Sequence, residues 1–195
     1  MPACSLLSGD SAVKKTSLFA LAAILVVAAF AITSRAVENA LPTVGQNAPA
    51  FTLPSQDGTP ISLNSYHGKW VVLYFYPRDM TTGCTIEAHN FQNAQADFNA
   101  KNAVILGVSV DSADSHKQFC ARDGLTFHLL SDADHKVVSA YGSLGGFNGV
   151  AMANRNTFLI DPKGKIAQVW TKVDPRTAAS DVLAAIPEHG KHSSN

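Results

Sequence analysis

Cys84 is the residue best placed to do chemistry in this 195-residue chain. It lies in the stretch Tyr74-Phe75-Tyr76-Pro77-Arg78-Asp79-Met80-Thr81-Thr82-Gly83-Cys84-Thr85-Ile86-Glu87-Ala88, where the pattern changes from strand to helix. The first turn of a helix carries backbone N–H groups without partners and partial positive charge, so a thiol placed there loses its proton more easily than a free one. The thiolate is the reactive form. Gly83 and Thr82 beside it suit an exposed first turn, which favours a nucleophile over an inert buried thiol.

The elements around Cys84 are legible from periodicity. Trp70 to Tyr76 is an apolar, aromatic and β-branched run that reads as a strand buried on both faces, and Pro77 ends it. After Cys84, the spacing of Ile86, Phe91, Ala94 and Phe98 predicts one amphipathic helix. Val104 to Val110 reads as the next strand and completes a β-α-β unit. Ser112 or Ser115 caps a following helix that carries Phe119 and Cys120 and ends at Gly124.

Upstream, Ala50–Leu53 and Pro60–Leu63 form a hairpin about Asp57-Gly58. Downstream, Phe127–Leu130 reads as a strand and Lys136–Tyr141 as a short helix. Gly145-Gly146-Phe147-Asn148-Gly149 reads as a flexible loop of the kind that borders a site. Thr157–Ile160 and Ile166–Trp170 are strands joined by Asp161-Pro162-Lys163-Gly164, a type I turn. Asp174-Pro175 starts a final helix with Ala179, Val182, Leu183 and Ile186 on one face. This order implies an α/β domain with a mixed sheet covered by helices.

Residues 1–36 read as a targeting segment, either a signal peptide or an uncleaved membrane anchor. Lys14 and Lys15 precede 15 unbroken apolar residues, Leu18 to Ile32, and Ser34-Arg35-Ala36 offers a cleavage site. That run is shorter than the roughly 20 residues of a comfortable membrane span. Residues 37–43 form a linker, 44–187 the domain and 188–195 a disordered tail. Losing Lys14, Lys15, Arg35 and Asp10 leaves 12 basic against 14 acidic residues, with no basic run and hence no footprint for nucleic acid. Cys4 leaves with the leader, so Cys84 and Cys120 are the cysteines of the mature domain, either a redox pair or a structural disulfide by count alone. The position of Cys84 favours the former.

Pro77, Thr81 and Cys84 match the Pro-x-x-x-Thr-x-x-Cys motif of the peroxiredoxins, and Cys84-Thr85-Ile86-Glu87-Ala88 resembles their Q class, the bacterioferritin comigratory proteins. The resemblance runs from about Val44 to about Ile186. It includes Arg155-Asn156-Thr157-Phe158-Leu159-Ile160-Asp161, similar to the stretch that carries the family's catalytic arginine. It implies a thioredoxin-like fold with an N-terminal β-hairpin, and a thiol peroxidase in which Cys84 becomes a sulfenic acid. Pro77 would wall the site, while Thr81, Arg155 and the backbone N–H groups of Gly83 and Cys84 would donate to the peroxide. Many members have a second cysteine five residues after the first, where this chain has His89. Others carry it on the following helix, and Cys120 stands at that spacing as the implied resolving thiol.

By position alone Arg155 would be a surface arginine at a strand start, Thr81 a helix N-cap and Cys120 a half-buried core residue. Glu87 either orients the site or only improves the first turn of its helix, and His89 is an ordinary polar helix residue. The implied partners are a peroxide and a thioredoxin-like reductant, with no metal, haem or flavin. The chain is expected to be an exported monomer, in a periplasmic, lumenal or extracellular compartment, tethered to a membrane if the leader is kept. Two other readings stay open: a thiol-disulfide oxidoreductase, weakened by the lack of Cys-x-x-Cys, and a redox-sensing or binding module.

Overall fold

A computed structural model describes residues 40–188. The targeting segment, linker residues 37–39 and tail residues 189–195 lie outside that range. Among the described residues, no helix is long and apolar enough to cross a membrane.

The run from Trp70 forms β3 (Trp70–Phe75), the middle strand of a five-stranded sheet. The sheet order is β5 (His128–Ser131), β4 (Ala103–Ser109), β3, β8 (Asn156–Ile160) and β9 (Ile166–Thr171). β3, β4 and β5 run parallel, whereas on the other side β8 pairs antiparallel with β3 and β9 pairs antiparallel with β8. The mixed sheet expected from the element order is therefore present. β1 (Thr52–Pro54) and β2 (Pro60–Ser62) make the opening hairpin.

Side chains of β3 alternate between two apolar layers, as the period-2 geometry of a strand requires. Val72, Tyr74 and Tyr76 face a layer that includes Cys84, Phe91, Phe98, Phe119 and Val182. Val71, Leu73 and Phe75 face another that includes Phe51, Val138, Tyr141 and Phe158. α1 (Thr82–Asn93), α2 (Gln95–Ala100), α3 (Ala113–Asp123) and α5 (Ala178–Ala185) all contribute to the first layer. α4 (Lys136–Ala140) contributes to the second. Each buried aromatic ring in these layers stabilises the fold by roughly 1.5–3 kcal/mol.

Three local readings are corrected. The single helix expected after Cys84 breaks at Ala94, where ψ is 0°, into α1 and α2. Its buried stripe is Cys84, Glu87, Ala88 and Phe91, and Ile86 is only half-buried. The glycine-rich loop is a hairpin, β6 (Leu144–Phe147) with β7 (Val150–Ala153). Its turn residues Asn148 and Gly149 have φ of 52° and 78°, the left-handed conformations a two-residue turn needs. The last helix begins at Ala178 rather than at Pro175, because Asp174 to Thr177 closes a turn first, with Thr177 N–H donating to the Asp174 carbonyl at 3.1 Å.

Candidate active site

β3 ends at Phe75, and Tyr76-Pro77 carries the chain over the edge of the sheet into the turn that starts α1. Pro77 is half-buried at that point. Thr81 takes the N-cap position with extended backbone, but its hydroxyl does not cap the helix. It donates to the Arg78 carbonyl at 3.1 Å. The first helical hydrogen bond runs from Thr85 N–H to the Thr81 carbonyl at 2.9 Å, so the N–H groups of Gly83 and Cys84 precede the ladder. Cys84 thus sits in the first turn of α1, with unpaired helical donors around it.

The thiol is less open than the sequence suggested. Cys84 is 1% exposed, although Thr81 and Thr82 are exposed and Gly83 is half-buried. The cover is a side chain from far along the chain. Arg155, just before β8, donates from Nη2 to Cys84 Sγ at 3.3 Å. A Cβ at Gly83 would lie 3.4 Å from that Nη2, so glycine leaves the guanidinium its room. The antiparallel pairing of Phe75 with Asn156 explains the placement, because it brings the start of β8 beside the end of β3. Arg155 is therefore not the surface arginine its position alone suggests.

Glu87 holds the other side of that guanidinium. It lies one turn after Cys84 on the same face of α1, is fully buried, and accepts a hydrogen bond from Arg155 Nη1. Burial pushes its carboxyl up to about 7, against the pull of the Arg155 charge and hydrogen bond. Its Oε1 has no partner among the described residues. Burial alone would lower the Arg155 pKa, but the charges of Glu87 and Cys84 raise it, so the guanidinium stays ionised. The arrangement can hold one cation against the sulfur in a single orientation. Of the two roles open for Glu87, orientation is the one its contacts fit.

Cys120 is a separate thiol on α3, half-buried against the layer that contains Cys84. Burial first, and then the carboxylates of Asp79, Asp57 and Asp123, push it up to about 11. Folded Cys120 is thus held as a neutral thiol near neutral pH. His89, at the variant cysteine position, does more than face solvent: its Nε2 lies 3.1 Å from Asp123 Oδ1 on α3.

Three features escaped the sequence reading. Asp79 is buried and bonded to Tyr76, Ser115 and His116. Met80 next to it has φ of 58°, a left-handed conformation that a non-glycine side chain adopts at a cost. The turn before Cys84 is thus held in shape by Asp79. Gly107 on β4 would place a Cβ 2.7 Å from the Tyr74 ring, which itself stacks on Phe91 at 4.7 Å in the layer beneath Cys84. The contacts of Asp79 with Ser115 and His116 and of Gly107 with Tyr74 reach across 36 or more and 33 residues of chain respectively, so local pattern does not show them.

Residues 44–169 match the family model described as AhpC/TSA family. Over 150 residues the chain is 41% identical to peroxiredoxin Bcp of Xanthomonas campestris, covering 74% of this chain and 94% of that protein. A solved structure of X. campestris peroxiredoxin Q superposes with a TM-score of 0.67 at 40% identity, over 71% of this chain and 90% of that one. A structure of the X. campestris bacterioferritin comigratory protein, studied for its alkyl peroxide reduction activity, gives 0.69 at 37% identity, over 74% and 97%. With the Cys84 motif on a thioredoxin-like sheet and these relatives over most of its length, the chain belongs to the AhpC/TSA family as a Q-class peroxiredoxin, a thiol-dependent peroxidase.

Proposed function

We propose that Cys84 is the peroxidatic nucleophile and that the enzyme reduces hydrogen peroxide and organic hydroperoxides. The observation that carries this is the Arg155 guanidinium 3.3 Å from Cys84 Sγ, at a helix start whose N–H groups are unpaired. The thiolate attacks one peroxide oxygen in line, the O–O bond breaks, and the second oxygen leaves with the electron pair and takes a proton to become water or an alcohol. Cys84 is left as a sulfenic acid. Negative charge spreads from sulfur over both oxygens in the transition state, where Arg155 and the N–H groups of Gly83 and Cys84 supply preorganised donors. Thr81 would join them once its hydroxyl turns from the Arg78 carbonyl, and Pro77 contributes an apolar wall without a competing N–H.

Cys120 then resolves the sulfenic acid. Its sulfur attacks Cys84 Sγ, a disulfide forms, and the hydroxyl leaves as water with the thiol's proton. The folded helix keeps Cys120 protonated and apart from Cys84, so this step requires the turn around it to unwind, which also removes the burial that holds its proton. A thioredoxin-like dithiol would then reduce the disulfide by exchange. The leader directs the enzyme out of the cytoplasm, where it works as a monomer, either freed by cleavage before Val37 or held at the membrane by residues 1–36.

The deciding experiment is peroxide consumption by purified protein with a thioredoxin-type donor. Multiple turnovers that disappear in Cys84→Ser, with the variant still folded, support the reading. A single stoichiometric oxidation would point instead to a redox sensor. Mass spectrometry of the native protein, read at Val37, separates a cleaved leader from an anchor.

A further inference from the structure

A buried polar cluster joins the two elements that carry the cysteines. The Asp79 carboxylate, in the turn before α1, accepts from Tyr76 Oη at 2.7 Å, Ser115 Oγ at 2.7 Å and His116 Nδ1 at 2.8 Å. Burial alone would raise this carboxyl, and the hydrogen bonds from His116, Ser115 and Tyr76 hold it below its ordinary range. The Asp79 N–H donates to Asp111 Oδ2 at 2.8 Å, and that oxygen also accepts from Ser109 Oγ at 2.7 Å. The Asp79 and His116 side chains are 1% and 0% exposed. Ser115 and His116 belong to the first turn of α3, and Cys120 follows His116 by one turn.

The other end of α3 is held differently. Arg122 Nη2 donates to Thr85 Oγ1 at 3.1 Å, and Asp123 meets His89 at 3.1 Å. Arg122 and His89 are about half exposed, so solvent screens these contacts. Buried hydrogen bonds to a carboxylate are far more costly to break. α3 is therefore firmly tied before Cys120 and loosely tied after it.

We infer that Asp79, Ser115 and His116 are positioning residues for the resolution step: they form a pivot that stops the unwinding of α3 at His116 and keeps Cys120 on a short tether beside Cys84. This rests on Cys120 being the resolving thiol. Unwinding then runs through residues 117–124, with Phe119 leaving its layer, while the first turn stays docked. With the pivot, the free segment reaching Cys120 starts at His116; without it, the segment starts at the end of β4, Ser109. Lengthening that segment from 4 to 11 residues, counted between those positions, slows ring closure by about fivefold under loop-closure scaling.

The test uses Ser115→Ala, which removes one hydroxyl, and His116→Gln, in rapid mixing with one equivalent of hydrogen peroxide followed by tryptophan fluorescence and thiol counting. The first phase, sulfenic acid formation, should stay within about twofold of wild type. The second phase, disulfide formation, should slow by about threefold to fivefold, and overoxidation at high peroxide should rise to match. Ser115→Ala carries the test if His116→Gln does not fold. Hydrogen exchange on the oxidised wild-type protein should show the Ser115 and His116 amides still protected while those of 117–124 exchange. A second phase unchanged or faster in the variants, or loss of protection at His116 in the oxidised wild type, overturns the pivot. Absence of a Cys84–Cys120 linked peptide from oxidised wild type overturns the resolving role itself and the pivot with it, so the two failures are told apart.

Discussion

Half-buried Arg155 pairs with buried Glu87 through one guanidinium nitrogen and aims the second at Cys84 Sγ. One residue comes from the start of β8 and the other from the helix that carries the thiol. The pair therefore locks the approach of a strand to a helix and the orientation of a charge in a single contact. Removing either partner perturbs both functions, but in different directions.

Arg155→Met takes away the donors and the cation, and leaves Glu87 buried without its partner. The rate of Cys84 oxidation by peroxide should fall by at least about tenfold, the scale of losing one preorganised transition-state donor or more. Alkylation of Cys84 by iodoacetamide at pH 7 should slow as well, because the donor and charge on its sulfur are gone. Rapid-mixing kinetics and timed alkylation at pH 7 measure both. An unchanged rate would make Arg155 a structural residue.

Glu87→Gln keeps the hydrogen bond to Arg155 but removes the carboxyl's titration. In the wild type this group has a folded pKa near 7, above its ordinary value of 4.5, because of burial. The folded state then binds the proton more tightly than the unfolded state, so the contribution is fully present below about pH 4.5 and is lost as pH rises through about 7. Urea unfolding at pH 5, 6, 7 and 8 should show wild-type stability declining across that window relative to Glu87→Gln. Parallel stability curves would show that Glu87 does not titrate there.

The position of Cys84 was legible because its causes are local: an apolar run, a proline that ends it, and helical spacing afterwards. Arg155 lies 71 residues from Cys84, and His116 lies 37 from Asp79. Their meeting depends on strand pairing and helix docking, which periodicity does not encode. For Arg155 the family resemblance supplied what the pattern lacked, and nothing comparable marked Asp79. The hairpin of β6 and β7 was missed although Asn148-Gly149 is a turn signal, because Gly145 and Gly146 dilute the strand pattern beside it. The break at Ala94 has neither glycine nor proline to announce it.

Gly107→Ala should destabilise the domain by about 1–3 kcal/mol, the usual cost of overpacking a filled core. The added Cβ would meet the Tyr74 ring and Leu129 Cδ2, each at 2.7 Å. Both neighbours are fully buried and cannot swing into solvent. Tyr74 stacks on Phe91 of α1 at 4.7 Å, so displacement of the ring is passed to the helix that carries Cys84. Urea unfolding reads the loss, and a shift confined to stability with an unchanged peroxide rate would mean that the layer absorbs it.

The two thiols should also differ sharply in reactivity while the protein is reduced. Cys120 is pushed up to about 11 by burial and then by Asp79, Asp57 and Asp123, so near neutral pH it presents almost no thiolate. Cys84 is covered more completely, at 1% exposure, yet it has a guanidinium on its sulfur and the N–H groups of a helix start around it. Small electrophiles at pH 7 should therefore label Cys84 first, even though Cys120 is the more open of the two. Timed alkylation with iodoacetamide, read residue by residue by mass spectrometry, should show Cys84 modified at least about tenfold faster, since Cys120 is held as the unreactive neutral thiol. In about 6 M urea the cover, the charges and the difference all disappear, and the two rates should converge toward those of ordinary cysteines with pKa near 8.5. Preferential labelling of Cys120 in the folded protein would mean that exposure, rather than the charges around each sulfur, governs which thiol meets an oxidant.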